Sequence, residues 1–152
     1  MSETMNDLTA QPLVKTVVVT PELARAFELF TDQIAQWWPL ATHSVGEADA
    51  VDVEIQGRVG GRIVETLADG RTSVWGTVAT WDPPHHVAFT WHPGRPAAEA
   101  TVVSVRFTPH DAGTQVQLTH SGWESRDDGN LARQGYDNGW DTVLGHFTSL
   151  AG

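Results

Sequence analysis

The sequence predicts an α+β domain in which a curved antiparallel sheet of about six or seven strands wraps around a long C-terminal helix. Three observations lead to this fold class. A β-branched run is followed by apolar residues at helical spacing, the middle of the chain consists of short runs separated by turn signals, and the C-terminal part returns to helical spacing. Consecutive strands joined by tight turns pair antiparallel, so the middle of the chain is predicted to be a meander.

The first strand and the first helix are marked by a change in apolar spacing. Residues 13–19 include four valines and predict a strand that is buried on at least part of both faces. Thr20 is a favourable N-cap and Pro21 suits the first helical position. An amphipathic helix is predicted from there to the region of Trp37-Trp38-Pro39, with its apolar face formed by Leu23, Phe27, Phe30 and Ile34.

The middle of the chain predicts an irregular segment and then six strands. Pro39 disfavours helical backbone at the residue before it, so residues 40–50 are expected to form a loop of the kind that often roofs a site. Turn signals such as Asp69-Gly70 and Asp111-Ala112-Gly113 punctuate the segment that follows. The predicted strands are residues 51–56, 61–67, 72–81, 86–92, 100–108 and 114–121.

The longest predicted helix covers about residues 129–150. Asp127 and Asp128 are placed to cap its start and to complement its dipole. Glycines inside it each cost about 1 kcal/mol relative to alanine, which indicates close packing of helix on sheet or, as the alternative, contact with a ligand. The glycines are Gly135, Gly139 and Gly145, and the predicted apolar stripe is Leu131, Tyr136, Trp140, Val143, Leu144, Phe147 and Leu150.

Composition and charge exclude several classes of function. Nine basic against nineteen acidic residues give a formal charge of −10, which repels nucleic acid and anionic lipid. The absence of cysteine excludes thiol chemistry. No stretch predicts a signal peptide or a membrane span, so a cytoplasmic location is expected. We expect a flexible segment over residues 1–12 and a single domain over residues 13–151.

Several local motifs occur together along the predicted elements. They are Val19-Thr20-Pro21, Trp37-Trp38-Pro39 with Thr42-His43-Ser44, Gly60-Gly61-Arg62 with Glu65, Trp75-Gly76 with Val78, Trp81-Asp82-Pro83-Pro84, Phe89-Thr90-Trp91, Gly113-Thr114, Thr119-His120-Ser121-Gly122-Trp123 and Gly139-Trp140.

With the order of elements, these motifs resemble the START-like superfamily, also called SRPBCC or pollen-allergen-like, over about residues 13–150. Within it the chain resembles the activator-of-heat-shock-protein-ATPase homologue (Aha-type) group, whose members are mostly small bacterial proteins. The resemblance implies a helix-grip fold. Its members include ligand carriers, cyclases and aromatases, lipid-transfer domains and co-chaperone modules, so fold does not fix the function.

Strand alternation and tryptophan content locate a candidate site. Seven tryptophans against one tyrosine favour a large core or a cavity wall that is apolar yet able to offer a hydrogen bond. Alternation puts Glu65, Trp91 and His120 on apolar strand faces. If these faces are concave, the three side chains point toward the C-terminal helix. The predicted ligand-binding residues are Trp38, His43, Glu65, Trp75, Trp91, His120, Tyr136 and Trp140.

The titratable residues of this set also have purely structural interpretations. Glu65 is as well explained by hydrogen bonds to buried groups, His120 by a core position, and His43 by a loop-bracing hydrogen bond. No catalytic residue is assigned, although Glu65 and His120 are candidates for an acid-base pair. A metal site is not expected, because His85, His86 and His92 lack metal-ligand spacing. No cofactor is expected either.

Three functions follow as hypotheses. The first is binding of a hydrophobic or aromatic small molecule between the sheet and the C-terminal helix. The second is a cyclase or hydratase that uses Glu65 and His120. The third is a protein-interaction module associated with a chaperone, and a homodimer or a protein partner is compatible with all three.

Overall fold

Seven strands form a single antiparallel sheet in the order β1-β7-β6-β5-β4-β3-β2. The structure is a computed structural model and describes residues 11–152, so most of the predicted flexible segment lies outside the described residues. The strands are β1 Leu13–Val19, β2 Ala50–Ile55, β3 Arg62–Leu67, β4 Thr72–Asp82, β5 His86–Trp91, β6 Thr101–His110 and β7 Gly113–Ser121.

Two α-helices complete the architecture. Helix α1 spans Leu23–Phe30, and helix α2 spans Gly129–Ala151 and packs against the concave face of the curled sheet. Single 3-10 turns occur at Ile34–Gln36, Glu47–Asp49, Ala97–Glu99 and Trp123–Ser125. The predicted helix-grip fold is confirmed. Within the described part of the chain, neither α-helix combines the length and the apolar character needed to cross a membrane.

Helix α1 is shorter than the spacing of apolar residues predicts. Its N-cap is Glu22 rather than Thr20, because the Thr20 hydroxyl donates a hydrogen bond to the carbonyl oxygen of Gly152 instead. The helix ends at Phe30, well before Pro39. The indole N–H of Trp37 donates to the carbonyl oxygen of Leu29 (2.8 Å) and so satisfies one of the groups that a helix end leaves without a partner.

Helix α2 has the predicted bounds to within one residue, but its apolar stripe is narrower than predicted. Leu131 is 70% exposed and Leu150 is 43% exposed, so these two residues point away from the sheet. Asp128 is the N-cap residue, but its carboxylate pairs with Arg126 and Arg95 and makes no side-chain cap. The side chains that the helix buries against the sheet are Trp140, Val143, Leu144 and Phe147.

Two β-bulges in strand β4 decide where its tryptophans point. The register shifts once against β3, leaving Trp75 without an opposite residue, and once against β5, leaving Ala79 without one. Each bulge breaks the simple alternation of the strand. As a result Trp75 and Val78 are both buried, and Trp81 packs edge-on against Phe27 of α1 (5.2 Å between ring centroids). Val78 is three positions from both Trp75 and Trp81, so strict alternation would place it on the opposite face from the two tryptophans.

The glycines of α2 do not serve close packing. A Cβ atom added at Gly135, Gly139 or Gly145 would meet nothing within 4 Å outside its own helix turn. The prediction that these residues let the helix approach the sheet is therefore wrong. Gly76 of β4 is the opposite case, since a Cβ atom there would lie 1.7 Å from the carbonyl oxygen of Thr90.

We predict opposite effects of alanine at two glycines. Gly135→Ala should stabilise the protein by up to about 1 kcal/mol, because alanine has the higher helix propensity and the space is open. Gly76→Ala should destabilise it by roughly 3 kcal/mol or more, because the new methyl group overlaps the backbone of β5. Urea unfolding of both variants measures the difference, and a destabilised Gly135→Ala protein would contradict the open space at that position.

Candidate ligand-binding site

A cavity of about 290 Å³ lies between the sheet, helix α2 and the loop of residues 39–49, which we call the roof loop. The sheet contributes Trp75 from β4 and Trp91 from β5, and the helix contributes Tyr136 and Trp140. The complete lining is Trp38, Thr42, His43, Ser44, Val45, Trp75, Trp91, Pro93, Gly94, Tyr136, Gly139, Trp140 and Val143.

Four indole rings form the aromatic wall of this cavity, and we call them the indole cluster: Trp38, Trp75, Trp91 and Trp140. Their contacting rings have centroids 5.2 to 5.9 Å apart, and the Trp38 ring touches the other three. The neighbouring Trp37 contacts Trp38 (5.7 Å between centroids) but otherwise packs against Phe30 and Phe147 in the core. Trp37 is thus a core residue, whereas Trp38 lines the cavity.

The N–H group of every ring in the indole cluster donates to a protein acceptor. Since these polar groups are already bonded, the rings offer carbon surface to the cavity. The acceptors are the His43 carbonyl oxygen for Trp38 (2.7 Å), Glu65 Oε1 for Trp75 (2.8 Å), the Tyr136 hydroxyl oxygen for Trp91 (3.1 Å) and His120 Nδ1 for Trp140 (2.9 Å).

Glu65 does not line the cavity but holds its roof. Its side chain has no exposed surface, and its carboxylate accepts hydrogen bonds from the backbone N–H groups of Val45 (2.9 Å) and Gly46 (2.7 Å). The same carboxylate accepts the indole N–H of Trp75. A Cβ atom at Gly46 would lie 2.1 Å from a methyl carbon of Leu67, so the tight approach of the roof loop to β3 depends on glycine.

His120 is also fully buried and also lies behind the cavity wall. Its Nε2 atom is 2.6 Å from the Thr101 hydroxyl, and its Nδ1 atom accepts the Trp140 indole N–H. Burial, reinforced by the positive charge of Arg126, lowers the pKa of His120 from 6.5 to about 3. The imidazole is therefore neutral near neutral pH. Glu65 and His120 share no hydrogen-bond partner among the described residues, and the acid-base pair considered from the sequence stays a prediction.

His43 lies in the roof loop and faces the cavity. Its Nδ1 atom is 2.7 Å from the Thr42 hydroxyl, and its carbonyl oxygen accepts the Trp38 indole N–H. The residue thus braces the loop and also lines the cavity, and its contact with a ligand stays a prediction.

Of the eight predicted ligand-binding residues, six line the cavity and only Glu65 and His120 do not. Sequence reasoning did not select several other lining residues. Thr42 and Ser44 flank His43 in the Thr42-His43-Ser44 motif, and Pro93-Gly94 comes two residues after Trp91. The closeness of both segments to predicted residues in the sequence could therefore have identified them. Gly139 was considered for ligand contact only as an alternative to packing.

A second, more open groove of about 420 Å³ lies beside α1. Its lining includes Trp81, Phe27 and the Pro83-Pro84 pair, with Glu28 and Asp32 among the remaining residues. None of the predicted ligand-binding residues reaches it. Among residues 11–152, no three histidine, aspartate or glutamate side chains come together as metal ligands.

We predict that Glu65→Gln loosens the roof loop. Glutamine supplies one acceptor oxygen and one NH₂ group where three N–H donors converge, so a donor loses its partner and the variant should be about 2–3 kcal/mol less stable. The amide protons of Val45 and Gly46 should exchange faster with solvent. The exposed Glu54→Gln is the matched control, and unchanged protection of the two amides in Glu65→Gln would contradict the role of the carboxylate.

Buried His120 predicts a specific pH dependence of stability. Because its pKa is lower in the folded protein, the unfolded chain takes up the proton first as the pH falls. Stability is then lost progressively from pH 6.5 down to about 3, by about 1.4 kcal/mol per pH unit from this group. In His120→Asn, which keeps an acceptor for Trp140, that slope should disappear. Urea unfolding across this pH range measures it, with the exposed His85→Asn as control; an unchanged slope would be inconsistent with neutral His120.

Comparisons with known proteins identify a protein family that matches this chain. The sequence model of the family described as activator of Hsp90 ATPase homolog 1-like protein matches residues 21–152. Among curated proteins, none matches this chain. The similar solved structures include protein MLL2253 from Mesorhizobium loti, which is 19% identical with a TM-score of 0.70 over 92% of this chain and 96% of that one.

Two further solved structures bear on the family. The AHSA1-like protein from Aeromonas hydrophila is 20% identical, with a TM-score of 0.66 over 91% of this chain and 90% of that one. Txn09, an anthrahydroquino-gamma-pyrone synthase, is 28% identical, with a TM-score of 0.61 over 91% of this chain and 95% of that one. Since the family match covers most of its length, this chain belongs to the activator of Hsp90 ATPase homolog 1-like family.

Proposed function

We propose that the protein binds a planar aromatic or otherwise hydrophobic small molecule in the cavity under the roof loop. The observation that carries the proposal is the indole cluster, whose rings surround open space while their N–H groups bond to the protein. Burying apolar ligand surface against such a wall is favourable at about 25 cal/mol per Å² of surface removed from water. The wall is suited to rings and poorly suited to charged ligands.

The size of the cavity limits the ligand. A volume of about 290 Å³ lies at the small end of the ~300–1,000 Å³ typical of ligand pockets. A molecule of a few fused rings fits this space, whereas a two-chain lipid does not. Shape therefore favours a compact aromatic compound over a membrane lipid.

The polar atoms beside the cavity would orient the ligand. Thr42, His43, Ser44 and Tyr136 are the lining residues with polar side chains, apart from the indoles. Orientation is thus assigned to the roof loop and to α2. Glu65 and His120 act behind the wall, by holding Trp75 and Trp140 in place.

We predict that Gly139→Leu blocks binding. Gly139 lines the cavity and has open space around it, so a leucine side chain there would occupy the volume that the ligand needs. Gly135→Leu is the matched control, because it lies one turn earlier on α2, has open space and does not line the cavity. Native mass spectrometry and tryptophan fluorescence against a library of aromatic compounds and lipids measure the effect.

The outcomes of this experiment are distinct. Ligands that bind the wild type and Gly135→Leu, but bind Gly139→Leu at least about ten-fold more weakly, support the proposal. A wild-type protein that responds to no member of the library, or a ligand that binds equally well to Gly139→Leu, contradicts it. Both substitutions add the same side chain to the same helix, so an effect on helix stability alone would appear in both.

Similarity to Txn09 over most of the chain favours a second candidate, ring closure of a bound aromatic ketone. A suitable test compound is an ortho-hydroxyaryl β-diketone. Its phenol oxygen attacks the distal carbonyl carbon and a molecule of water leaves, which gives a γ-pyrone. Faster pyrone formation with the wild type than with Gly139→Leu would assign catalysis to the cavity, and binding without conversion would leave the first candidate alone.

A further inference from the structure

We infer that the hydroxyl group of Tyr136 makes the cavity selective for neutral aromatic ligands that carry a hydrogen-bond-accepting carbonyl oxygen, such as aryl ketones and quinones. This inference rests on the proposed function and adds to it a chemical class of ligand and the residue that selects it. The hydroxyl group acts as the donor, and the indole cluster supplies the surface on which the rings of the ligand pack.

The Tyr136 side chain is held in one position. Its ring contacts His120 (4.8 Å between centroids), Trp123 (5.7 Å) and Trp140 (6.2 Å), and its hydroxyl oxygen accepts the Trp91 indole N–H at 3.1 Å. Aromatic neighbours therefore surround the ring while the residue lines the cavity. A donor that is fixed before the ligand arrives loses little conformational entropy on binding.

The hydrogen of this hydroxyl group is available to a ligand. A phenol hydroxyl both accepts and donates, and Trp91 uses only the acceptor side. Among residues 11–152 the Tyr136 hydroxyl group makes no hydrogen bond as a donor. A ligand oxygen that fills this place would complete the hydrogen bonding of a group that is mostly buried.

The other hydroxyl and indole groups of the lining are already engaged. The Ser44 hydroxyl donates to the carbonyl oxygen of Leu40, and the Thr42 hydroxyl bonds to Nδ1 of His43. The four indole N–H groups have the acceptors given above. Among the hydroxyl and indole groups that line the cavity, the Tyr136 hydroxyl is thus the one whose hydrogen has no acceptor within residues 11–152.

Charge determines which acceptor fits. Burial raises the pKa of Tyr136, so the hydroxyl group keeps its hydrogen at neutral pH. The guanidinium of Arg126, which lies near Tyr136, forms two hydrogen bonds with Asp128 (2.8 Å each). A carboxylate ligand would lose its hydration while this cation is already paired, whereas a neutral carbonyl oxygen loses less and gains the Tyr136 hydrogen bond.

Fluorenone and fluorene provide a test, because these flat molecules differ only by a carbonyl group in place of a methylene group. Equilibrium dialysis should show that the wild type binds fluorenone about 3- to 10-fold more tightly than fluorene, the range expected for one hydrogen bond. Tyr136→Phe should bind the two compounds with equal affinity. Fluorene serves as the internal control, since its affinity reports packing against the indole cluster without the hydrogen bond.

Infrared spectroscopy of bound fluorenone gives a second measurement. Its carbonyl stretching frequency should be lower in the wild type than in an apolar solvent, and the frequency should rise in Tyr136→Phe. The comparisons within the wild type do not require the variant to fold. Equal wild-type affinities, or an unshifted carbonyl band, would overturn the inference while leaving the cavity proposal intact; failure of both compounds to bind would overturn the two together.

Discussion

The buried carboxylate of Glu65 joins two parts of the chain that define the cavity. It lies on β3, accepts two backbone N–H groups of the roof loop and holds the indole of Trp75 on β4. A carboxylate in an apolar interior is very unfavourable unless hydrogen bonds compensate for its lost hydration, and three N–H donors provide that compensation. The position of the roof and of one wall is therefore set by a single buried side chain. The volume under the roof depends on it.

The polar N–H groups of the cavity wall are all hydrogen-bonded within the protein. Each ring of the indole cluster bonds through its N–H group to an acceptor, and for Trp75 and Trp140 that acceptor is a fully buried side chain behind the wall. Hydrogen bonds of this kind fix the orientation of a flat ring more closely than apolar packing does. A wall that is already ordered needs little rearrangement to accept a guest. This explains why buried Glu65 and His120 matter to a site that neither of them lines.

The sequence predicted the architecture well because its signals are local. The period of apolar residues and the turn residues between runs placed each strand and helix α2 to within about two residues. Tryptophan content pointed to Trp38, Trp75, Trp91 and Trp140, and the loop and the helix stripe added His43 and Tyr136; these six residues line the cavity. Helix α1 was extended too far, since nothing local reveals that it ends at Phe30 with the Trp37 indole bound to the carbonyl oxygen of Leu29.

The features that could not be predicted from the sequence depend on contacts between segments that are far apart in the chain. Glu65 is separated from the roof loop by about twenty positions, and no pattern in either segment states that they meet. The two bulges of β4 reverse its alternation, so Trp75 and Trp81 could not be assigned to a face. His120 was correctly placed on a buried strand face, but only its partners Thr101 and Trp140 show that it is a neutral member of the wall.

The closeness of the indole rings has an optical consequence. Trp38 lies 5.2 to 5.9 Å from Trp75, Trp91 and Trp140, measured between ring centroids. Transition dipoles at this separation couple, so the four chromophores absorb as a chiral assembly rather than as independent rings. The circular dichroism of the indole absorption bands should consequently report on these rings, and a guest that tilts even one of them would change the spectrum without any label.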